Sequence, residues 1–400
     1  METKTAAIEM RNITKRFGPV LANDKVWLNI YRGEILALLG ENGSGKTTLM
    51  NMLSGIYFPD EGEIKIDGKE VVIRSPKDAF DNGIGMIHQH FKLVDVLTAA
   101  ENIVLGLPGK LDLKAASAKI REICDKYGFS VDPAQKIYDM SVSQKQTVEI
   151  VKVLYRGADI LILDEPTAVL TPQETDKLFA VLRNMRNDGK AIVIITHKMH
   201  EVEALSDRVA ILRHGQFIGD MLTAHTNAQE MTNMMVGHAV SLNIERPDPV
   251  DPKPRIEVKG LTVRSVDGIV KLDDVSFTAN SGEILGIAGI SGCGQKELLE
   301  AIAGLQTVES GSISYIEDDG SREELIGKDP LSIAELGVSL SFVPEDRLGM
   351  GLVGNMNLAD NMMLRSFRRG KSIFTDRRSP RALAESVVQE LSVWNNTYVM

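Results

Sequence analysis

The stretch GENGSGKTTL at residues 40–49 decides the fold. It matches the pattern G-x-x-x-x-G-K-[ST], in which glycines allow successive backbone N–H groups to turn inward around phosphate oxygens. The apolar run EILALL at 34–39 precedes it and is typical of a buried strand, while TTLMNMLSGI at 47–56 is compatible with a helix. A strand, a glycine-rich loop and a helix in this order predict a P-loop, because this context supports the motif.

The residues of this loop have distinct predicted roles towards a nucleoside triphosphate. The N-terminus of the following helix adds partial positive charge. Lys46 places a point charge at the β- and γ-phosphates, and Thr47 offers a hydroxyl to Mg²⁺. A glycine-rich turn with an idle lysine is the alternative, and the strand–loop–helix setting argues against it. The predicted nucleotide-binding residues of the loop are Gly40, Glu41, Asn42, Gly43, Ser44, Gly45, Lys46, Thr47 and Thr48.

A second apolar strand ends in an acidic pair. The segment ADILILDEP at 158–166 places Asp164 and Glu165 at the end of a core strand. A carboxylate beside a P-loop can hold Mg²⁺ through water, which suits Asp164. Glu165 is then placed to orient or deprotonate the attacking water. The P-loop and this pair predict an ATPase whose ligands are ATP and Mg²⁺.

Two further strand ends carry polar side chains. The run AIVIITH at 191–197 ends in His197, which we interpret as a γ-phosphate contact, although a lone histidine at a strand end is more often structural. The run GIGMIHQHF at 83–91 carries Gln89, whose amide is placed to reach Mg²⁺ and the water. Alone, Gln89 reads as an ordinary loop residue; the order of the motifs gives it a predicted catalytic role.

Composition excludes several classes of protein. The net charge of −10 argues against general nucleic-acid binding, which needs a basic face. Cys124 and Cys293 are the only cysteines, so no disulfide framework is implied and a reducing compartment fits. The polar N-terminus is unlike a signal peptide, and the longest apolar runs are too short to span a membrane. We expect a soluble chain whose membrane role comes through partners.

The chain contains an internal duplication. The tetrapeptide GEIL at 33–36 recurs at 282–285. The same offset relates five glycines of each copy: Gly40 to Gly289, Gly43 to Gly292, Gly45 to Gly294, Gly55 to Gly304 and Gly62 to Gly311. Between the copies, RPDPVDPKPR at 246–255 has four prolines in ten residues and reads as a stiff linker. We therefore expect a first domain at 1–245 and a second at 256–400.

The second copy of the loop keeps the glycines and loses the reactive side chains. In GISGCGQKEL at 289–298, Gln295 stands where the lysine belongs and Lys296 where a serine or threonine belongs. We interpret this loop as a retained fold element with an anion-cradling backbone. Lys296 lies one place late and in principle still reaches a phosphate, so weak nucleotide binding without hydrolysis is expected.

Together these motifs resemble those of ATP-binding cassette (ABC) ATPases. The P-loop, Gln89, MSVSQKQ at 140–146, LILDEPTAVLT at 161–171 and IITH at 194–197 stand in the family's order and spacing. The resemblance covers essentially the whole chain. It implies an α/β P-loop NTPase fold, tandemly duplicated, with a RecA-like core, an antiparallel β subdomain and a helical subdomain at about 91–157.

Two cassettes with a degenerate second P-loop look like the ATPase subunit of importers for simple sugars and nucleosides. The segments HQHFKLV and AVLTPQE are closer to nucleoside-type members. The resemblance also implies that Phe17 stacks on adenine, with a packed strand-end aromatic as the alternative. Ser141 and Gln144 correspond to the serine and glutamine of the signature Leu-Ser-Gly-Gly-Gln, whose two glycines are replaced here.

In the family, the P-loop of one cassette faces the signature of the other across a head-to-tail dimer. The altered first signature then faces the altered second P-loop, so both defects fall in one composite site. The intact P-loop, with Asp164, Glu165 and His197, belongs to the other site, where the resemblance places hydrolysis. Thr171 is a further departure, because an aspartate is usual at this position.

The signature that should complete the intact site is not visible. The segment LSVWN at 391–395 resembles one, but its Ser392 corresponds better to Ser130, which places the equivalent serine just beyond Met400. We expect a truncated version of a longer ATPase, which takes this signature from the missing C-terminal part or from another chain. An ATP-binding fragment without turnover remains an open alternative.

The resemblance implies partners at a membrane. These are two integral-membrane permease subunits, which the chain energises as a peripheral subunit at the cytoplasmic face, and an extracytoplasmic substrate-binding protein. In the family, the region at 88–106 docks the permeases, and its counterpart at 343–364 places Asn361 opposite Asn102. A helical subdomain that packs on itself explains the apolar residues equally well.

A soluble tandem-cassette ATPase that works on ribosomes or DNA is the other class left open. The short proline-rich linker and the degraded second loop argue against it, and we expect no nucleic-acid partner.

Overall fold

The structure is a computed structural model that divides into two units, residues 1–244 and 245–400. The described residues are 6–88, 91–168, 170–239, 247–265, 268–289, 292–336, 338, 343, 351–364, 366–367 and 375–390. Gln89 lies outside them, as does the segment 391–400 that contains LSVWN.

The first unit contains two sheets. In chain order its strands are β1 Ala6–Phe17, β2 Val20–Tyr31, β3 Ile35–Leu39, β4 Glu61–Ile66, β5 Lys69–Val71, β6 Ile84–Ile87, β7 Ile160–Asp164, β8 Ala191–Ile195, β9 Arg208–Arg213 and β10 Gln216–Leu222. One sheet is antiparallel, in the order β2-β1-β4-β5. The other has the order β10-β9-β3-β8-β7-β6 and is parallel except for β10.

The helices of this unit cover the parallel sheet and form a separate helical group. They are α1 Lys46–Leu53, α2 Pro76–Asp81, α3 Ala99–Val104, α4 Leu113–Tyr127, α5 Val142–Tyr155, α6 Pro172–Asn187, α7 Met199–Leu205 and α8 Ala228–Val236. Helices α3, α4 and α5 share a small core of their own, which includes Ile103, Ile120 and Val148. This group is the helical subdomain that the fold class requires.

The central strands are apolar throughout, which explains why they pair in parallel. Every residue of β3, β7 and β8 is buried. Strands buried on both faces occur in parallel sheets, where helices cover each side. The carboxyl ends of these strands meet at one edge of the sheet, and the P-loop, the acidic pair and His197 all follow such an end. The fold therefore gathers the predicted reactive residues at one edge.

The second unit repeats the antiparallel sheet of the first. Its strands are β11 Pro254–Arg264, β12 Val270–Asn280, β13 Ser310–Ile316 and β14 Arg322–Glu324, and its helices are α9 Gln295–Ile302, α10 Pro330–Glu335, α11 Leu358–Met363 and α12 Arg378–Glu390. The sheet order β12-β11-β13-β14 matches β2-β1-β4-β5. The sequence duplication therefore corresponds to a duplicated structural element.

The run EILGIAG at 283–289 differs in conformation from its counterpart in the first unit, residues 34–40. Its strand-like sequence is not a strand, and Ile284 is 77% exposed. In the first unit the corresponding strand β3 pairs with β8 and β9. Among the described residues of the second unit, no strand pairs with 283–289. A strand needs hydrogen-bonding neighbours, so the apolar sequence alone does not form one here.

None of the described helices is long and apolar enough to cross a lipid bilayer.

Candidate active site

The P-loop connects β3 to α1 and leaves the helix N-terminus open. Gly40, Gly43 and Gly45 have φ angles of 156°, 83° and 92°, which side chains rarely adopt. Gly45 is the N-cap of α1 and provides no side-chain cap. The first N–H groups of the helix have no intrahelical partner, so an anion can accept from them. Glu41, Asn42 and Gly43 are exposed, Thr48 is half-buried and Ser44 is buried.

Lys46 lies inside this loop. Its residue is 8% exposed, and Nζ donates to the carbonyl oxygens of Gly40 and Glu41 at 2.8 Å each and to Ser44 Oγ at 3.4 Å. Burial lowers the pKa of the Lys46 ammonium, and the negative charges of Glu165, Asp164 and Glu41 partly offset this effect. The charged form is therefore costly where it stands, and phosphate oxygens would stabilise it.

Thr47 and Asp164 meet although they lie on different elements. Thr47 Oγ1 donates to Asp164 Oδ2 at 3.2 Å, at the end of β7. Burial raises the pKa of the Asp164 carboxyl, while the hydrogen bond from Thr47 acts in the opposite direction. A hydroxyl and a carboxylate are the hard oxygen ligands that Mg²⁺ prefers. A cation between them would offset the buried negative charge of Asp164.

Thr47 and Asp164 suit Mg²⁺ that arrives with phosphates. Within the described ranges there is no group of three or more histidine, cysteine, aspartate or glutamate side chains that could hold a metal ion alone. Mg²⁺ is usually bound by one or two carboxylates together with substrate phosphates. Thr47 and Asp164 fit that pattern, so the donor set agrees with the predicted metal.

Glu165 and His197 form a pair at the ends of β7 and β8. His197 Nδ1 lies 3.0 Å from Glu165 Oε1, and the imidazole is about half exposed. The Glu165 N–H donates to the carbonyl oxygen of Ile195 at 2.9 Å. Glu165 has a φ of 47°, in the left-handed region. Non-glycine residues in this conformation are often found at functional sites, where the surrounding structure compensates the strain.

Other predicted ligands have defined surroundings in the first unit. Phe17 ends β1, and its ring lies edge-on against Tyr57 with centroids 5.0 Å apart. Ser141 is the N-cap of α5: its Oγ accepts from the Gln144 N–H at 3.3 Å, and Gln144 Oε1 accepts from the Ser141 N–H at 2.9 Å. Adenine stacking by Phe17 and phosphate binding by the signature residues remain predictions.

Thr171 also caps a helix. It is the N-cap of α6, with Pro172 next to it and Glu174 completing a reciprocal capping box. The sequence Thr-Pro-Gln-Glu carries this signal directly. The threonine that replaces the usual aspartate therefore has a structural role.

Sequence reasoning missed the buried polar residues behind the reactive pair. Glu201, on α7, bonds the hydroxyls of both Thr167 and Thr196. The available signal was a glutamate one turn after His197 that lies on the apolar face of its helix, beside Val202 and Leu205.

The second loop arranges its side chains differently. Gln295 Nε2 donates to the carbonyl oxygen of Ile287 at 2.7 Å, so the amide occupies the loop without adding a charge. Lys296 lies on α9 and pairs with Glu300 at 3.7 Å, and its side chain is largely exposed. A contact between Lys296 and a phosphate of this loop stays a prediction.

The fold and the first site define a P-loop nucleotide-hydrolysing protein. A family model described as ABC transporter matches residues 23–168 and 272–397, which lie in the two units. The chain belongs to this family, as its motifs indicated, and it is an ATP-binding ATPase. The resemblance that the sequence predicted is confirmed.

Comparison with individual relatives agrees with this family assignment. A nucleoside import ATP-binding protein of Lactococcus lactis is 45% identical over 393 residues, which is 96% of this chain and 76% of that protein. A glucose import ATP-binding protein of Haloferax volcanii is 41% identical over 426 residues, covering 98% and 76%. The crystal structure of a nucleotide-free ATP-binding cassette from an ABC transporter aligns with a TM-score of 0.51 at 25% identity, over 58% of this chain and 95% of that one.

Proposed function

We propose that the chain is the ATP-hydrolysing subunit of an ABC importer that takes up nucleosides or simple sugars, with nucleosides favoured. The observation that carries the proposal is the set of reactive side chains at one sheet edge of the first unit: Lys46, Thr47, Asp164, Glu165 and His197. The relatives in Lactococcus lactis and Haloferax volcanii are import ATP-binding proteins, which supports import as the process.

The residues of the first loop bind and orient the triphosphate. Lys46 exchanges its hydrogen bonds with loop carbonyls for phosphate oxygens, and the backbone N–H groups at the start of α1 bind the remaining oxygens. Thr47 and Asp164 would hold Mg²⁺, whose charge, when bound, stabilises the phosphates. Gln89 is proposed as a further ligand of the metal and the attacking water.

Glu165 and His197 act on the attacking water and the γ-phosphate. Glu165 orients the water or accepts its proton, a role that contributes roughly 10²- to 10⁴-fold in rate. His197 holds the Glu165 carboxylate through Nδ1, which leaves its other ring nitrogen for the phosphate. The left-handed backbone of Glu165 keeps the carboxylate at this position.

The first and second P-loops are proposed to differ in their ability to hydrolyse ATP. Hydrolysis is assigned to the first loop, with a signature supplied by another cassette. The second loop, in which Gln295 donates to the carbonyl oxygen of Ile287 just before the loop, has no charged lysine at this position. The proposed domains are 1–245 and 256–400, with a linker at 246–255 and a helical subdomain at about 91–157.

Two integral-membrane permeases and an extracytoplasmic binding protein are the proposed partners, with the chain peripheral at the cytoplasmic membrane face. The segments on either side of α3 and the first residue of α4 present exposed apolar side chains, which support docking of the permeases: Val94, Val96, Leu105, Leu107, Leu111 and Leu113. ATP-driven closure at the first site would move the permeases between inward- and outward-facing states.

The test is ATP hydrolysis and uptake by the chain reconstituted with its membrane partners in lipid vesicles. We expect Glu165→Gln to abolish hydrolysis while ATP binding remains, and a nucleoside to be taken up faster than glucose. Uptake of glucose without uptake of a nucleoside would show that the substrate is a simple sugar. Purification with ribosomes in place of membrane proteins would contradict the importer.

A further inference from the structure

A buried carboxylate lies behind the reactive pair and belongs to none of the motifs. Glu201 is 3% exposed and lies on α7. Its Oε1 accepts from Thr167 Oγ1 at 2.5 Å, and its Oε2 accepts from Thr196 Oγ1 at 3.1 Å. Both threonines are also 3% exposed. One side chain therefore joins two buried hydroxyls that lie on different loops.

These two loops are the ones that carry the reactive pair. Thr167 follows Glu165 by two positions, and Thr196 directly precedes His197. The side chains of Glu165 and His197 are 3.0 Å apart. Since so few bonds separate each threonine from its reactive neighbour, a shift of either threonine changes the distance between the carboxylate and the imidazole.

Lys198 joins the hydrogen-bond network of Glu201, Thr167 and Thr196, and its ammonium compensates the negative charge of Glu201. Its Nζ lies 3.0 Å from Glu201 Oε1 and donates to the carbonyl and hydroxyl oxygens of Thr167 at 3.2 Å each. Its backbone N–H donates to Thr196 Oγ1 at 3.1 Å. A buried carboxylate is tolerated when its oxygens are paired, and a fully paired polar network is rigid. The network can therefore fix a geometry.

We propose that Glu201 is a positioning residue for ATP hydrolysis, which sets the approach of Glu165 to His197 by bonding Thr167 and Thr196. The inference rests on the roles proposed above for the reactive pair. It assigns to Glu201 no contact with the nucleotide. Its effect should therefore appear in kcat and leave nucleotide affinity unchanged.

Variants of the two threonines test the two hydrogen bonds to Glu201 separately. Thr167→Val and Thr196→Val each remove one hydroxyl at nearly constant volume, and Thr167→Ser and Thr196→Ser restore it. In the full chain within its hydrolysing assembly, we expect the valine variants to lower kcat roughly 10- to 100-fold, the range typical of residues that orient a reactive group. The KM for ATP and the affinity for a non-hydrolysable ATP analogue should change by less than about twofold, because the P-loop contacts are intact.

Glu201→Gln tests the carboxylate itself. The amide keeps the shape but accepts through one oxygen only and loses the charge that faces Lys198. It should lower kcat at least as much as a single valine variant. A kcat close to wild type in Glu201→Gln and in both valine variants would overturn the proposal. So would serine variants as slow as the valine variants, or a loss of kcat matched by a loss of affinity, because each of these indicates a general packing role.

A double-mutant cycle tests whether the effect passes through the histidine. In a His197→Ala background, Thr196→Val should cause no further decrease in kcat, whereas independent contributions would multiply and contradict the proposal. Thermal melting of every variant identifies any that simply fails to fold.

The position of His197 is also observable without turnover. In the chain labelled with ¹⁵N-histidine and free of nucleotide, Glu201→Gln and Thr196→Val should shift the His197 Nδ1 resonance, and Thr196→Ser should not. Unchanged resonances would overturn the proposal even if the wild type is inactive. Failure of the proposed function is recognised separately, by a wild-type hydrolysis rate that Glu165→Gln leaves unchanged.

Discussion

Lys46 Nζ lies 2.8 Å from the carbonyl oxygen of Gly40, so the first P-loop closes around its own lysine. Phosphate oxygens must replace this and the neighbouring carbonyl contacts. A Lys–phosphate pair about 4 Å apart is worth on the order of 4 kcal/mol at an effective dielectric near 20, before desolvation. Lys46→Ala should therefore weaken ATP binding by about 10²-fold or more and abolish hydrolysis in the assembled ATPase.

Gln295→Ala is the matched control for this change, because Gln295 holds the corresponding place in the second loop. Its amide donates to Ile287 and carries no charge, so its removal should leave ATP affinity and hydrolysis close to wild type. Calorimetric titration with ATP and steady-state phosphate release measure both variants. Comparable losses of ATP affinity and hydrolysis in Lys46→Ala and Gln295→Ala would refute the proposal that only the first site is active.

Gly45→Ala should destabilise the first unit more than Gly43→Ala. Both glycines have left-handed backbones, so an alanine costs about 1 kcal/mol at either position. A Cβ on Gly43 meets no atom within 4 Å, whereas a Cβ on Gly45 would lie 2.3 Å from the carbonyl oxygen of Ala22. Backbone must move to relieve that contact, so Gly45→Ala should cost several kcal/mol in total, on the scale of severe point mutations.

Urea unfolding of both alanine variants, followed at the same wavelength, measures this difference. The second unit provides an internal replicate, since a Cβ on Gly294 would lie 2.4 Å from the carbonyl oxygen of Lys271. Equal stability losses for Gly43→Ala and Gly45→Ala would show that steric contact at Gly45 does not govern the stability of the loop.

Asn102→Ala should destabilise the helical subdomain. Asn102 is 1% exposed; it accepts from the N–H of Val94 at 2.8 Å and donates to the carbonyl oxygens of Val94 and Thr98. Removing the amide leaves the N–H of Val94 without its acceptor, a loss on the order of 1 kcal/mol. The carbonyl oxygens of Val94 and Thr98 keep the backbone N–H groups of Leu97 and Asn102 as donors. Asn361 makes the same pair of bonds to Val353 but is only half-buried, so Asn361→Ala should cost less.

Hydrogen exchange at the Val94 amide is the measurement for this prediction, with exchange at the Val353 amide in Asn361→Ala as the comparison. Faster exchange at Val94 in Asn102→Ala is expected. An unchanged rate would indicate that the loop is held by packing alone.

The sequence alone predicted those parts of the fold and the site that depend on local chemistry. The spacing G-x-x-x-x-G-K-T between a buried strand and a helix is specific to a phosphate-binding loop, so residues 40–47 were recognisable as a P-loop. Asp164 was recognised in the same way, since it ends an apolar strand, and its contact with Thr47 follows because parallel strands end at one edge. The matched positions of Asn102 and Asn361 in the two copies likewise correspond to equivalent hydrogen bonds, in which each side-chain amide donates to the carbonyl oxygen of a valine eight residues earlier.

The features that sequence analysis missed depend on partners far along the chain. Glu201 is bonded to Thr167, 34 residues earlier, and no motif spacing records such a contact. The run 283–289 has the apolar residues of a strand, yet a strand also requires at least one hydrogen-bonded neighbouring strand, which its own sequence does not encode. Burial and hydrogen-bond pairing are properties of the assembled fold.

The two cysteines should differ in reactivity towards thiol reagents, in a way that depends on pH. Cys124 is buried in α4, and burial raises the pKa of its thiol above the ordinary value of 9.0. Cys293 is exposed. At pH 7.5 a thiol-reactive dye should therefore label Cys293 quickly and Cys124 only when α4 opens, because the thiolate is the reactive form. Because the pKa of Cys124 is raised in the folded state, its thiol ionises at a lower pH in the unfolded chain than in the folded chain. The free energy of unfolding of the first unit should therefore decrease as pH rises above about 9.0. Labelling of the single variants Cys124→Ser and Cys293→Ser, from pH 7.5 upward and with and without urea, assigns each rate, and equal rates for the two cysteines in the folded chain would contradict the burial of Cys124.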